Sequence, residues 1–159
     1  MDKLCVLPCG KKKIWDKYPD KGAIRADDAY IGVLRQLTLK YSRKFVPNRV
    51  TISAKHGFLL PDDLVRGNYD LTFQRNNPAV ISVSELRSQL IDKQLDHYRH
   101  IVVLTGKKYR QIMETVFVDA DIIEFPLLGT KGIGEMQSRL KESIQKGIPL
   151  HIEKGGEQK

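Results

Sequence analysis

Apolar positions along the chain fall into two patterns, short unbroken runs and longer stretches with helical spacing. Residues 3–8 (KLCVLP) are an unbroken run ended by Pro8 and Gly10, which predicts a short buried strand. Residues 9–25 have no period and are rich in Lys, with Trp15 and Tyr18 interleaved, and read as a long loop. From about Asp27 to Lys44 the residues Tyr30, Val33, Leu34, Leu37 and Tyr41 recur at helical spacing, with Asp27 or Asp28 near the start. Arg49–Ser53 is β-branched and introduced by Pro47-Asn48, a second strand. Between Ala54 and Pro78 periodicity is lost, and Gly57, Pro61, Gly67 and Pro78 punctuate what reads as a long, ordered, functional loop. Ser82-Val83-Ser84-Glu85 is a capping-box pattern that opens a helix to about Tyr98, with Leu86, Leu90 and Leu95 inward. His100–Leu104 predicts a third strand, followed by Thr105-Gly106 and a helix from Lys107 to about Phe117. Ile122–Phe125 predicts a fourth strand, Gly129–Gly134 a glycine-rich loop, and Glu135–Gln145 a last helix.

Strands that alternate with helices predict an α/β fold: a mostly parallel sheet of four or more strands with helices on both faces. With no linker or internal repeat, residues 1–152 read as one domain and 153–159 as a flexible polar tail. Ligands of such sheets bind beyond the carboxyl ends of the strands. Cys9–Lys13, Ser53–Gly57, Thr105–Lys107 and Gly129–Gly134 are all predicted at that edge.

Composition narrows the partner. The 159 residues carry a formal charge of +8, with 41% apolar and 29% charged residues. That balance fits a globular chain and favours a polyanionic partner, nucleic acid or a phosphorylated ligand. No apolar run approaches the roughly 20 residues that span a bilayer, and the Lys cluster follows the first apolar stretch instead of preceding it as in a signal peptide. The expectation is a cytoplasmic protein without membrane contact, a monomer by default. Cys5 and Cys9, four apart on a strand, stand about 13 Å from each other at ~3.3 Å per residue, too far to bridge. No Cys/His pairs have zinc spacing, so neither metal nor cofactor is expected.

Several segments carry candidate chemistry. Around Cys9, Gly10, Lys11 and Lys13, backbone amides and cations suit a phosphate or carboxylate. Ser53, Lys55 and His56 place a hydroxyl, an ammonium and an imidazole at a strand exit. His56 suits general acid–base work, and Lys55 suits binding an anion or attacking an electrophilic carbon. Asp62, Asp63 and Asp70 supply carboxylates, although Asp62 and Asp63 after Pro61 equally suit a turn. Tyr69, next to Asp70, is suited to stack on a base. Gly106, Lys107 and Arg110 form a strand–Gly–helix junction whose amides suit a phosphate, and Gly132 and Gly134 suit the same ligand or close packing. Tyr30 and Gly32 would let a base approach the first helix.

These residues, Cys9–Lys13 (CGKKK), Tyr30–Gly32 (YIG), Ser53–Asp62 (SAKHGFLLPD), Tyr69-Asp70 and Gly132–Gly134, resemble the signature of a family of bacterial and phage domains. More distantly the order is similar to the YaaA peroxide-stress proteins, which implies DNA binding. Pro8, Cys9 and Lys13 also resemble the PCxxxK of archaeosine synthase, which acts on a modified base through a lysine; where that family continues Pro-Tyr, this chain has Ile14-Trp15. Together the resemblances imply a site that handles a nucleobase on a polynucleotide. The resulting expectation is a DNA glycosylase with Lys55, His56 and Asp70 catalytic. The alternatives are a non-catalytic DNA-binding stress protein and an enzyme of free nucleotides or phosphorylated sugars.

Overall fold

The computed structural model describes residues 2–74 and 77–152; the tail expected at 153–159 lies outside the described residues. Five strands form one sheet. β1 (Lys3–Pro8) is central, with β3 (Arg49–Ser53) on one side, and β6 (His100–Val103) followed by β7 (Ile122–Glu124) on the other. These four run parallel. β4 (Gly57–Leu59) turns back antiparallel on β3 and closes that edge. A small ribbon pairs β2 (Ile24–Arg25) with β5 (Leu64–Val65).

The strands read as unbroken apolar runs because both faces are covered. Leu4 and Val6 enter a core with Phe58, Leu86 and Met113, beneath α4 (Val83–Asp92) and α5 (Arg110–Val116). Cys5 and Leu7, one pleat over, enter a core with Leu37, Tyr41 and Leu140, beneath α3 (Val33–Phe45) and α6 (Ile133–Lys146). Both cysteines are free and buried. From β1 the chain crosses to β3, then returns past β1 to β6. The exits of β1 and β6 therefore feed helices on opposite faces, which makes the space between them the topological switch point of the sheet.

Several boundaries differ from the sequence reading. The first helix is broken: α2 (Ala26–Ala29) stops and α3 begins only at Val33. Tyr30 pairs instead with Lys13 in an isolated bridge, the Ile31 amide donates to the Lys12 carbonyl (3.1 Å), and Gln36 Nε2 donates to the Tyr30 carbonyl (2.8 Å). Tertiary pairing thus overrides helical periodicity, and Gly32 is the N-cap of α3. The loop expected at 9–25 contains α1 (Ile14–Lys17) and β2, and the expected loop after Ala54 contains β4 and β5. α4 ends at Asp92 rather than Tyr98, because Gln94 takes a left-handed conformation (φ 59°) and the Leu95 amide turns back to the Leu90 carbonyl (2.7 Å). α6 runs a little past the expected helix at both ends. No helix among the described residues is long and apolar enough to cross a membrane.

Candidate functional site

A third apolar cluster, Cys9, Trp15, Ala26, Ala29, Tyr30, Leu59 and Val65, closes the carboxyl edge over β1 and β3, with Tyr69 packed against it. On this floor the polar groups converge. The Tyr69 hydroxyl lies 2.5 Å from that of Tyr30 and 2.8 Å from Ser53 Oγ. Ser53 Oγ also accepts from the amides of Lys55 (3.2 Å) and His56 (3.1 Å), so one side chain shapes the turn after β3 and anchors the tyrosine. The His56 ring stands edge-on to Tyr69, centroids 4.9 Å apart. Lys13 Nζ lies 4.5 Å and Lys55 Nζ 5.6 Å from the same ring. Two ammoniums and an imidazole thus share one aromatic ring.

Local sequence fixes each part. Lys13 is 3% exposed, and its ammonium donates to the Lys11 carbonyl (3.0 Å). Its amide donates to the Asp16 carboxylate (2.8 Å), and Asp16 also accepts from Asn68 Nδ2 (2.9 Å), tying α1 to the segment bearing Tyr69. The turn after His56 needs Gly57: its φ is +75°, and a Cβ there would meet Ile81 Cδ1 at 2.6 Å and Gln89 Oε1 closer still. The Gln89 amide spans the turn, accepting from the Phe58 amide (2.7 Å) and donating to the His56 carbonyl (3.0 Å).

Protonation follows from burial. Desolvation, and after it the positive Lys55, lowers the His56 pKa, which leaves a neutral imidazole at pH 7. Burial first, and Cys9 second, pushes the Tyr69 phenol up to about 12. Burial also raises the Cys9 thiol above its ordinary range, against the pull of Lys13 and Arg35, so Cys9 is a neutral wall group.

The other expected residues separate. Lys11, Tyr69 and Asp70 line a shallow cleft of about 380 Å³ with Asp16 and Asn68. Gly10 opens the turn after β1 with φ +76°. Tyr30 is fully buried, and its hydroxyl supports Tyr69 from below. Asp62 is exposed and paired with Arg25. Asp63 is a turn residue, accepting from the Leu60 amide (2.7 Å) and from Lys93 (2.6 Å). Gly106, Lys107 and Arg110 do lie at the carboxyl edge. However, Lys107 is exposed in a single 3₁₀ turn, and Arg110 pairs with Glu114 (3.4 Å) and stacks over Phe125 (5.6 Å). Gly132 and Gly134 are exposed and nothing crowds them. No group of three or more His, Cys, Asp or Glu suited to a metal ion occurs among the described residues. A larger groove of about 550 Å³ runs between α4 and α5, where Arg87 and Asp119 pair with each other (3.8 Å).

The sequence reading missed Arg35. Fully buried, it donates to the Pro8 carbonyl (3.2 Å), to Thr51 Oγ1 (2.7 Å) and to the Ala26 carbonyl (3.3 Å), so it clamps β1, β3 and α2 beneath the site. Asp27, buried beside it, accepts from Arg49 (2.5 Å). A stripe of small polar residues at helical spacing from Arg35, Thr38 and Ser42, marks that face as buried and is the signal that would have found it. Tyr109, buried near Cys9 and Tyr69, is the other omission; burial and those two groups raise its pKa. Gln89 carries no sequence signal at all.

Fold and site together define a three-layer α/β protein with a cationic, aromatic cluster at the carboxyl ends of β1 and β3. The chain belongs to DUF6884, a family of unknown function, whose model matches residues 4–142. The uncharacterized protein YfjM of Bacillus subtilis (strain 168) is 45% identical over 145 residues, covering 91% of this chain and 97% of the relative. No solved structure matches the chain significantly.

Proposed function

We propose that this protein is an enzyme acting on a nucleobase carried by nucleic acid, and specifically a DNA glycosylase. The observation that carries the reading is the pairing of a neutral His56 imidazole with the Lys13 and Lys55 ammoniums around Tyr69. Hydrolysis of an N-glycosidic bond needs a base for water and positive charge for the departing nucleobase, and these groups can supply both. In the reaction, the oxygen of water bonds to the sugar C1′ as the C1′–N bond breaks, its electron pair leaving with the base. The proton that water loses passes to His56 and ends on the released base. Asp70, at the rim, is the carboxylate available to a cationic sugar. The net charge of +8 supports a polyanionic, polynucleotide substrate.

The test is incubation with oligonucleotides carrying uracil, hydroxymethylated, glucosylated or oxidised bases, followed by alkali. Strand breaks on one of these are expected, slowed at least ~100-fold by His56→Ala. Intact DNA binding with no break on any substrate overturns the enzyme in favour of a non-catalytic DNA-binding protein. Tight binding of a mononucleotide without affinity for oligomers points instead to a free nucleotide.

A further inference from the structure

Tyr18 is the one exposed aromatic side chain among the described residues. It is 49% exposed, while every other Phe, Tyr and Trp is buried or half-buried. It is also flanked by charge: Lys17 Nζ lies 5.9 Å and Lys21 Nζ 5.6 Å from its ring. We propose that Tyr18, with Lys17 and Lys21, is a stacking platform for the nucleic-acid strand next to the target nucleotide. This rests on the reading of the site as one that acts on a base in a polynucleotide.

Two features separate this tyrosine from an ordinary surface residue. The first is rigidity. The Tyr18 amide donates to the Ile14 carbonyl (2.9 Å), and the Lys21 amide returns to the Tyr18 carbonyl (3.2 Å) across a turn with Pro19 at its second position. From below, the buried Trp15 indole donates to the carbonyls of Lys21 (2.9 Å) and Gly22 (3.0 Å). A ring on so fixed a turn loses little entropy on binding. The second feature is position. α1 begins directly after Lys13 of the Tyr69 cluster, and Asp16, two residues before Tyr18, lines the cleft with Lys11, Tyr69 and Asp70. At ~1.5 Å per residue, Tyr18 stands about 7.5 Å along from Lys13, near two nucleotide steps at ~3.4 Å each. An unstacked neighbour of an extruded base exposes an apolar face, and an aromatic ring between two ammoniums complements both that face and its phosphates.

The experiment is a fluorescence-anisotropy titration of a short fluorescein-labelled oligothymidylate with the full chain and its variants. Tyr18→Ala should weaken binding about tenfold, in line with ~1–3 kcal/mol for one stacked base, while Tyr18→Phe should bind as the wild type does. The double variant K17A/K21A should lower the slope of log K against log salt by about 1.4. Equal binding by wild type and Tyr18→Ala overturns the platform even if base release is observed. Loss of binding in Tyr18→Ala supports it even if no base is ever released, so its failure and that of the glycosylase reading are told apart. A wild-type protein that binds no oligothymidylate overturns it as well.

Discussion

The exits of β1 and β3 and the exits of β6 and β7 open on the same edge of the same sheet, and both carry glycine and lysine. They differ in what lies around the polar groups. After β1 and β3, an apolar floor of Cys9, Trp15, Tyr30 and Leu59 holds Lys13, Ser53 and Tyr69 against one another, and shared hydrogen bonds fix them. After β6 and β7, Lys107, Gly132 and Gly134 face solvent, and Arg110 is engaged by Glu114. The same residue types make a site only where burial removes water and leaves each group few partners. At the first exit the Lys55 charge adds to the effect of burial on His56, whereas at the second the exposed Lys107 ammonium is screened by solvent.

The largest effect that can break this comparison is steric. Gly57→Ala places a methyl group against Ile81 and Gln89 at a positive φ, while at Gly132 nothing lies within 4 Å. The backbone conformation alone disfavours alanine by about 1–2 kcal/mol, and crowding adds a similar amount. Gly57→Ala should therefore lower stability by about 3 kcal/mol in urea unfolding, and Gly132→Ala by no more than about 0.5 kcal/mol. Equal losses would show that the two edges are built alike.

That contrast also marks what sequence could show. The strands, the α/β class and the capping box at Ser82 were legible because each is written in local periodicity or spacing, and β1, β3 and β6 stand where the apolar runs placed them. The convergence on Tyr69 was legible only in part. Ser53, Lys55, His56 and Tyr69 stood out as residues, but their meeting depends on a ring packed back across 16 positions of chain that fold through β4 and β5. The break at Tyr30 was hidden, since Lys13 pairs there from outside the helix. Gly106, Lys107, Gly132 and Gly134 looked equal to the others because a linear pattern does not reveal whether a strand exit has a floor.

A smaller effect tests the hydroxyl relay. Tyr69→Phe keeps the ring beneath both ammoniums but leaves the buried Tyr30 hydroxyl without its Tyr69 partner. An unsatisfied buried hydroxyl costs about 1–3 kcal/mol, so this variant should be less stable by about 1.5 kcal/mol, read from the urea midpoint. Ser53 keeps its contacts to the amides of Lys55 and His56, which limits the damage to the turn. At the other exit, Arg110→Ala removes an exposed ion pair, worth under about 1 kcal/mol.

The smallest effect is electrostatic and is read at one ring. Burial is the larger cause of the low His56 pKa and Lys55 the smaller. Lys55→Met should therefore move the His56 titration, followed by NMR, upward by a fraction of a pH unit while leaving it below the ordinary 6.5. Lys107→Met, at the other exit, should leave it in place. The consequence for stability has a definite sign. The folded protein binds this proton less readily than the unfolded chain, so the His56 contribution is fully present above about pH 6.5 and is lost as pH falls through the folded value. Lys55→Met narrows that window from its acid end, and an acid limb of base release set by His56 should move upward with it. A limb that stays fixed while the NMR titration moves would assign the general base to another group and leave His56 a wall of the pocket.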